Sequence, residues 1–126
     1  MEKASNRRSG KYLALKILQS YATKGEKRRD ELNLSLRAAA ADPGHPGYQH
    51  IVLLLDNFIH KGPNGEHLCL VMELLGENLV TMRRRLQGSR FPAAFVKNVA
   101  RQTLLGLDYL HTSCGIIHTG MPANKA

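Results

Sequence analysis

Lys16 sits in the run Lys11-Tyr12-Leu13-Ala14-Leu15-Lys16-Ile17-Leu18. Strand alternation puts Tyr12, Ala14 and Lys16 on one face and Leu13, Leu15 and Ile17 on the other. An ammonium inside an apolar strand is costly unless it meets a partner. It either reaches solvent at a strand edge or meets a partner of opposite charge. A second constellation, His111-x-x-Cys114-x-x-x-His118, has metal-ligand residue types. It straddles a helix end and no second cysteine pair supports it, so it does not read as a metal centre. Cys69 and Cys114 lie in apolar surroundings and read as free thiols of a reducing compartment.

The elements that position these groups are legible in outline. Residues 1–10 are polar and basic and read as a disordered tail. Glu26 to Ala41 is helix-like, with Leu32, Leu36 and Ala39 or Ala40 on one face, and Asp42-Pro43-Gly44 ends it. Ile51 to Ile59 and His67 to Glu73 read as strands of a hairpin turned at Gly62-Pro63-Asn64-Gly65. Glu77 to Gln87 is a short helix with Leu79, Met82 and Leu86 inward. Pro92 stands at the first position of a long helix, whose stripe is Val96, Val99, Ala100, Thr103, Leu104, Leu107 and Leu110. Gly115 caps that helix, and Ile116-Ile117 reads as a short buried strand before His118 opens a loop.

The chain has 126 residues, 43% of them hydrophobic, and a net charge of +8. That length is one ordinary domain. No apolar run approaches the ~18 residues of a membrane span, and the N-terminus has no signal-peptide core, which points to the cytoplasm or nucleus rather than a membrane. Basic clusters at Arg7-Arg8, Lys24 to Arg29 and Arg83-Arg84-Arg85 raise a nucleic-acid partner. None of the seven aromatic residues is interleaved with them, which argues for solvated faces instead.

Gly106-Leu107-Asp108-Tyr109-Leu110-His111 followed by Ile116-Ile117-His118 resembles the approach to the catalytic loop of eukaryotic protein kinases, H-R-D-L-x-x-x-N. Cys114-Gly115-Ile116-Ile117-His118-Thr119 resembles the SR-protein kinases, which phosphorylate serines in Arg/Ser-rich proteins. The string from His45 through Ile51-Val52 and from Gly62 to Leu79 is very similar to fungal members. Leu13-Ala14-Leu15-Lys16 resembles the kinase V-A-I-K strand.

This resemblance implies an α+β, partial protein-kinase-like fold: a small lobe and hinge over 11–75 and the start of the large lobe over 76–126. It implies ATP and Mg²⁺ as ligands and Arg/Ser-rich proteins as substrates. Lys16 would contact the ATP phosphates, and Ala14 would pack over adenine. Glu31 would pair with Lys16, with Glu26 as the competing partner. Met72 would be the gatekeeper, and the backbones of Glu73 and Leu75 would bond adenine. His118 would brace the catalytic loop. Gly120 stands where the catalytic Asp belongs. Asn124 is the metal ligand if one residue is missing before Pro122; without a gap that position is Lys125.

The Gly-rich loop and D-F-G of the family do not occur in the sequence. The expectations are a truncated, inactive domain with weak ATP binding. Its positive charge opposes docking of Arg-rich substrates. Its helix from Pro92 to Thr112 would expose an apolar face and favour self-association. An interaction module competing for a relative's partners is the alternative, and a basic nucleic-acid binder the next.

Overall fold

The computed structural model describes residues 2–5, 10, 12–19 and 26–117, with the side chains of 2–5 and 26–29 outside the description. The chain divides into two compact units, Met1–Pro43 with Val52–Leu75, and Gly44–Ile51 with Gly76–Ala126.

Among the described residues the first unit is a four-stranded antiparallel sheet in the order β1-β2-β4-β3, with one helix. Its strands are β1 (Glu2–Ser5), β2 (Tyr12–Ile17), β3 (Leu54–Gly62) and β4 (Gly65–Glu73). The apolar run of β4 takes an interior place, where Leu68, Cys69, Leu70 and Val71 are all buried. β3 and β4 close at Gly62–Gly65 around Pro63 and Asn64, with Gly65 at φ 108°. That conformation is open to glycine and closed to most other residues. The register shifts between Leu54 and Asp56, a bulge that leaves Leu55 half-exposed. Helix α1 (Glu26–Ala40) packs along β3.

Two expectations are corrected in this unit. Residues 2–5, expected in a disordered tail, pair with β2 from Glu2–Leu15 to Ser5–Tyr12. Strand pairing uses backbone groups, so a polar, charged segment can still cover the open edge of β2. Leu36 does not join a buried helix face; it is exposed, as is Leu34.

In the second unit, Asn78 caps helix α2 (Leu79–Arg85), its side chain accepting from the Thr81 N–H at 2.9 Å. Glu77 pairs with Arg85 at 3.0 Å. A turn at Gln87–Ser89, with Gly88 at φ 73°, leads to helix α3 (Ala93–Asp108). Pro92 is the cap residue rather than the first helical one. The helix ends in a wider π-type turn, Tyr109–Ser113, then Gly115 at φ 63°. Segment 44–51, grouped with the first unit by sequence, lies on α3 instead. Tyr48 meets the Tyr109 ring edge-on at 5.6 Å. A Cβ on Gly47 would fall 1.9 Å from the Leu105 carbonyl oxygen.

Three further readings change here. The segment 51–53 is not strand, and a 3₁₀ turn at Tyr48–His50 precedes it. Ile116 and Ile117 form no strand. The Ile116 N–H bonds the Leu110 carbonyl at 2.8 Å, so it completes the helix end, and Ile117 is 78% exposed. On α3 the buried positions are Gly106 and then Tyr109 in the following turn, while Val96 and Leu104 face outward.

Candidate functional site

Strand β2 carries the first two candidate residues. Ala14 is 3% exposed and stands opposite Met72 of β4; Lys16 stands opposite Leu70. By strand alternation Ala14 and Lys16 share a face with Met72 and Leu70. The small alanine beside the unbranched Met72 leaves that face low, with a positive charge two residues further along.

The Lys16 ammonium Nζ pairs with Glu31 Oε1 of α1. This settles the cost of a lysine in an apolar strand: its charge meets a carboxylate from the helix. The pair is only half-screened from water, with the side chains 44% and 35% exposed. An ammonium has three donor hydrogens and Glu31 takes one, so two remain for other acceptors. Glu26 opens α1, and its side chain lies outside the described residues.

Beyond Met72, β4 ends at Glu73, and Leu74 and Leu75 are exposed at 46% and 58%. The segment Leu74–Asn78 has no regular structure, so its backbone groups are not committed to a ladder. His118, Gly120 and Asn124 lie outside the described residues, as does Lys125. Among the described residues no three His, Cys, Asp or Glu side chains gather to hold a metal ion. His111 is exposed and Cys114 buried.

One cluster escaped the sequence reading. The His45 Nδ1 accepts from the Gly47 N–H at 3.0 Å, which leaves the ring proton on Nε2, facing Asp108 Oδ2 at 3.3 Å. The same ring lies 5.4 Å from that of Tyr109, which is fully buried. His45-Pro46-Gly47 was legible as a loop, but nothing in its spacing pointed to residues 108 and 109.

A family model described as "Protein kinase domain" matches residues 1–123. The chain belongs to the protein kinase domain family. It is 42% identical over 118 residues to Protein kinase dsk1 of Schizosaccharomyces pombe, a match covering 94% of this chain and 22% of that protein. To Serine/threonine-protein kinase SKY1 of Saccharomyces cerevisiae it is 43% identical over 111 residues, 86% of this chain and 15% of the relative. To human SRSF protein kinase 3 it is 40% identical over 109 residues, 86% and 19% respectively. The kinase domain is thus of SR-protein-kinase type, and the chain spans about a fifth of the length of these relatives. No helix among the described residues is long and apolar enough to cross a membrane.

Proposed function

We propose that the chain binds ATP on the β2–β4 face and does not itself transfer phosphate. The observation that carries this reading is the Lys16–Glu31 ion pair. A lysine held by a helix glutamate presents its remaining N–H donors in a fixed place, suited to the α- and β-phosphates. Ala14 and Met72 give a planar base room, and the backbones of Glu73 and Leu75 are available to bond its edge. The family reaction is ATP-dependent phosphorylation of serine or threonine, with Arg/Ser-rich proteins as the substrates of the SR-protein-kinase type. Gly120 stands at the position of the carboxylate that takes the substrate hydroxyl proton, and glycine cannot take it. The net charge of +8 disfavours Arg-rich peptides as partners. The cytoplasm or nucleus is the compartment proposed, and self-association through the outer face of α3 is proposed as a second property.

The test is direct. The chain is titrated with ATP by calorimetry, then incubated with labelled ATP, Mg²⁺ and an Arg/Ser-rich peptide. Binding that weakens in Lys16→Met, without label transfer, is expected. Label transfer abolished by Lys16→Met would overturn the inactive reading. Binding indifferent to Lys16 would overturn the site.

A further inference from the structure

Two histidines, His60 and His67, stand directly opposite each other on the β3–β4 hairpin. Opposed residues share a face of an antiparallel sheet, with Cβ atoms about 4.5–5.5 Å apart. By alternation the same face carries Gly62 and Gly65, which oppose each other at the turn. Lys16 stands opposite Leu70, three residues from His67, and so lies on the other face, away from the histidines. The His67 Nδ1 is 3.0 Å from the Leu18 carbonyl oxygen. A carbonyl only accepts, so Nδ1 carries the proton and donates, and Nε2 keeps its lone pair. Metal-binding imidazoles have this arrangement, their second nitrogen donating to a backbone carbonyl or a carboxylate. His60 is exposed, and its ring lies over Gly62, where an added Cβ would stand 3.5 Å from its Nε2. The paired glycines therefore leave open space beside the two imidazoles.

We propose that His60 and His67 together bind one late first-row divalent cation, of the nickel, copper and zinc class, with water filling its remaining positions. Imidazole suits these ions, whereas Mg²⁺ and Ca²⁺ take oxygen ligands. Metal–nitrogen bonds of about 2 Å put the two ligating nitrogens within about 4 Å of each other. Side chains opposed at this spacing span that distance once the exposed His60 ring turns from Gly62 toward its partner. His67 is thus the fixed ligand and His60 the adaptable one. Cys69, two residues beyond His67 on the same face, is buried and out of an incoming ion's reach. Lys61 is on the other face by alternation, and its charge is met by Glu66 at 3.2 Å. The net charge of +8 repels cations at long range. Retention therefore depends on the chelate, whose two ligands the hairpin already holds side by side. The bound ion would tie β3 to β4 near their turn and, through the His67–Leu18 bond, to the residue that follows β2.

Calorimetric titration of the full chain with Ni²⁺ alone tests this. A single site is expected, and excess Mg²⁺ should not compete for it. His60→Ala and His67→Ala should each weaken binding at least about tenfold. The double variant should lose little more than either, because the two nitrogens act as one chelate. His111→Ala, outside the pair, should leave binding unchanged. His67→Ala also loses the Leu18 bond and can loosen the sheet, so His60→Gln, at an exposed position, serves as the independent variant. It should weaken Ni²⁺ binding as much as His60→Ala while the metal-free chain keeps its melting temperature. No Ni²⁺ binding, binding untouched by His60→Gln, binding lost in His111→Ala, displacement by Mg²⁺, or single-variant losses that simply add in the double variant would each overturn the proposal.

Discussion

Lys16 and Glu31, 15 residues apart in sequence, are joined by an ion pair between β2 and α1. Both side chains keep substantial contact with water, so the pair adds little to folding, about 0–1 kcal/mol. Its worth lies in placing a charge. Lys16→Met should leave the melting temperature nearly unchanged. It should weaken ATP binding by roughly tenfold to a hundredfold, the loss of one charge-assisted contact. Glu31→Gln should have a smaller effect in the same direction, because the ammonium survives but is no longer held. Paired calorimetric titrations of the two variants check the order.

Gly47 and Gly106 both lie where segment 44–51 meets α3, yet alanine should act differently at each. At Gly47 the new Cβ would fall 1.9 Å from the Leu105 oxygen and 2.8 Å from Tyr109 Cβ. Neither the helix backbone nor a fully buried ring can yield easily, so Gly47→Ala should cost at least ~1–3 kcal/mol. At Gly106 the nearest atom is the His50 oxygen at 3.0 Å, a tight contact relieved by a small shift. Alanine also favours the helix by about 1 kcal/mol over glycine. Gly106→Ala should therefore be near neutral. Urea denaturation of both variants gives the comparison.

The sequence reads well where local chemistry decides. Gly62-Pro63-Asn64-Gly65 forces a tight turn whatever surrounds it, and the hairpin is there. Alternation in β2 locates Lys16, and the cost of its charge requires a partner, although the choice of Glu31 came from family resemblance. Reading fails where distant chain decides. Nothing in Glu2-Lys3-Ala4-Ser5 says that β2 needs an edge neighbour. The apolar Ile116-Ile117 looks like strand, but helix termination takes the Ile116 N–H first. His45 meets Asp108 only because the 44–51 segment folds back onto α3.

Burial pushes the Cys69 thiol above its ordinary value of 9.0, against a smaller opposing effect of a hydrogen bond with the His60 backbone. The folded state thus holds this proton more tightly than the unfolded chain. Stability contributed by the neutral thiol is complete below about pH 9 and declines as pH rises past the unfolded value. Urea midpoints should fall as pH rises above about 9, and less so in Cys69→Ala. At neutral pH Cys69 should react with iodoacetamide only at the rate of unfolding, as a buried thiol does. Rapid labelling of Cys69 in the native chain would contradict this.

The last prediction concerns α2, where capping and packing separate cleanly. This helix has seven residues and none is buried, so little tertiary contact supports it. A single turn or two is marginal in water, because nucleation is costly. What holds its start is the Asn78 side chain accepting from Thr81 N–H, with the Glu77–Arg85 pair spanning its length. Removing the cap in Asn78→Ala should cost ~0.5–2 kcal/mol. Because α2 is so weakly tied to buried structure, that loss should appear as local fraying and not as a lower global midpoint. Hydrogen exchange should accelerate at Met82 and Arg83, whose amides lie in the first turns of α2, while amides of β4 keep their protection. Asn78→Asp, which restores an acceptor, should recover most of the protection. If Asn78→Ala instead lowers the global unfolding midpoint by the full capping energy, α2 is integral to the cooperative unit and this account of it is wrong.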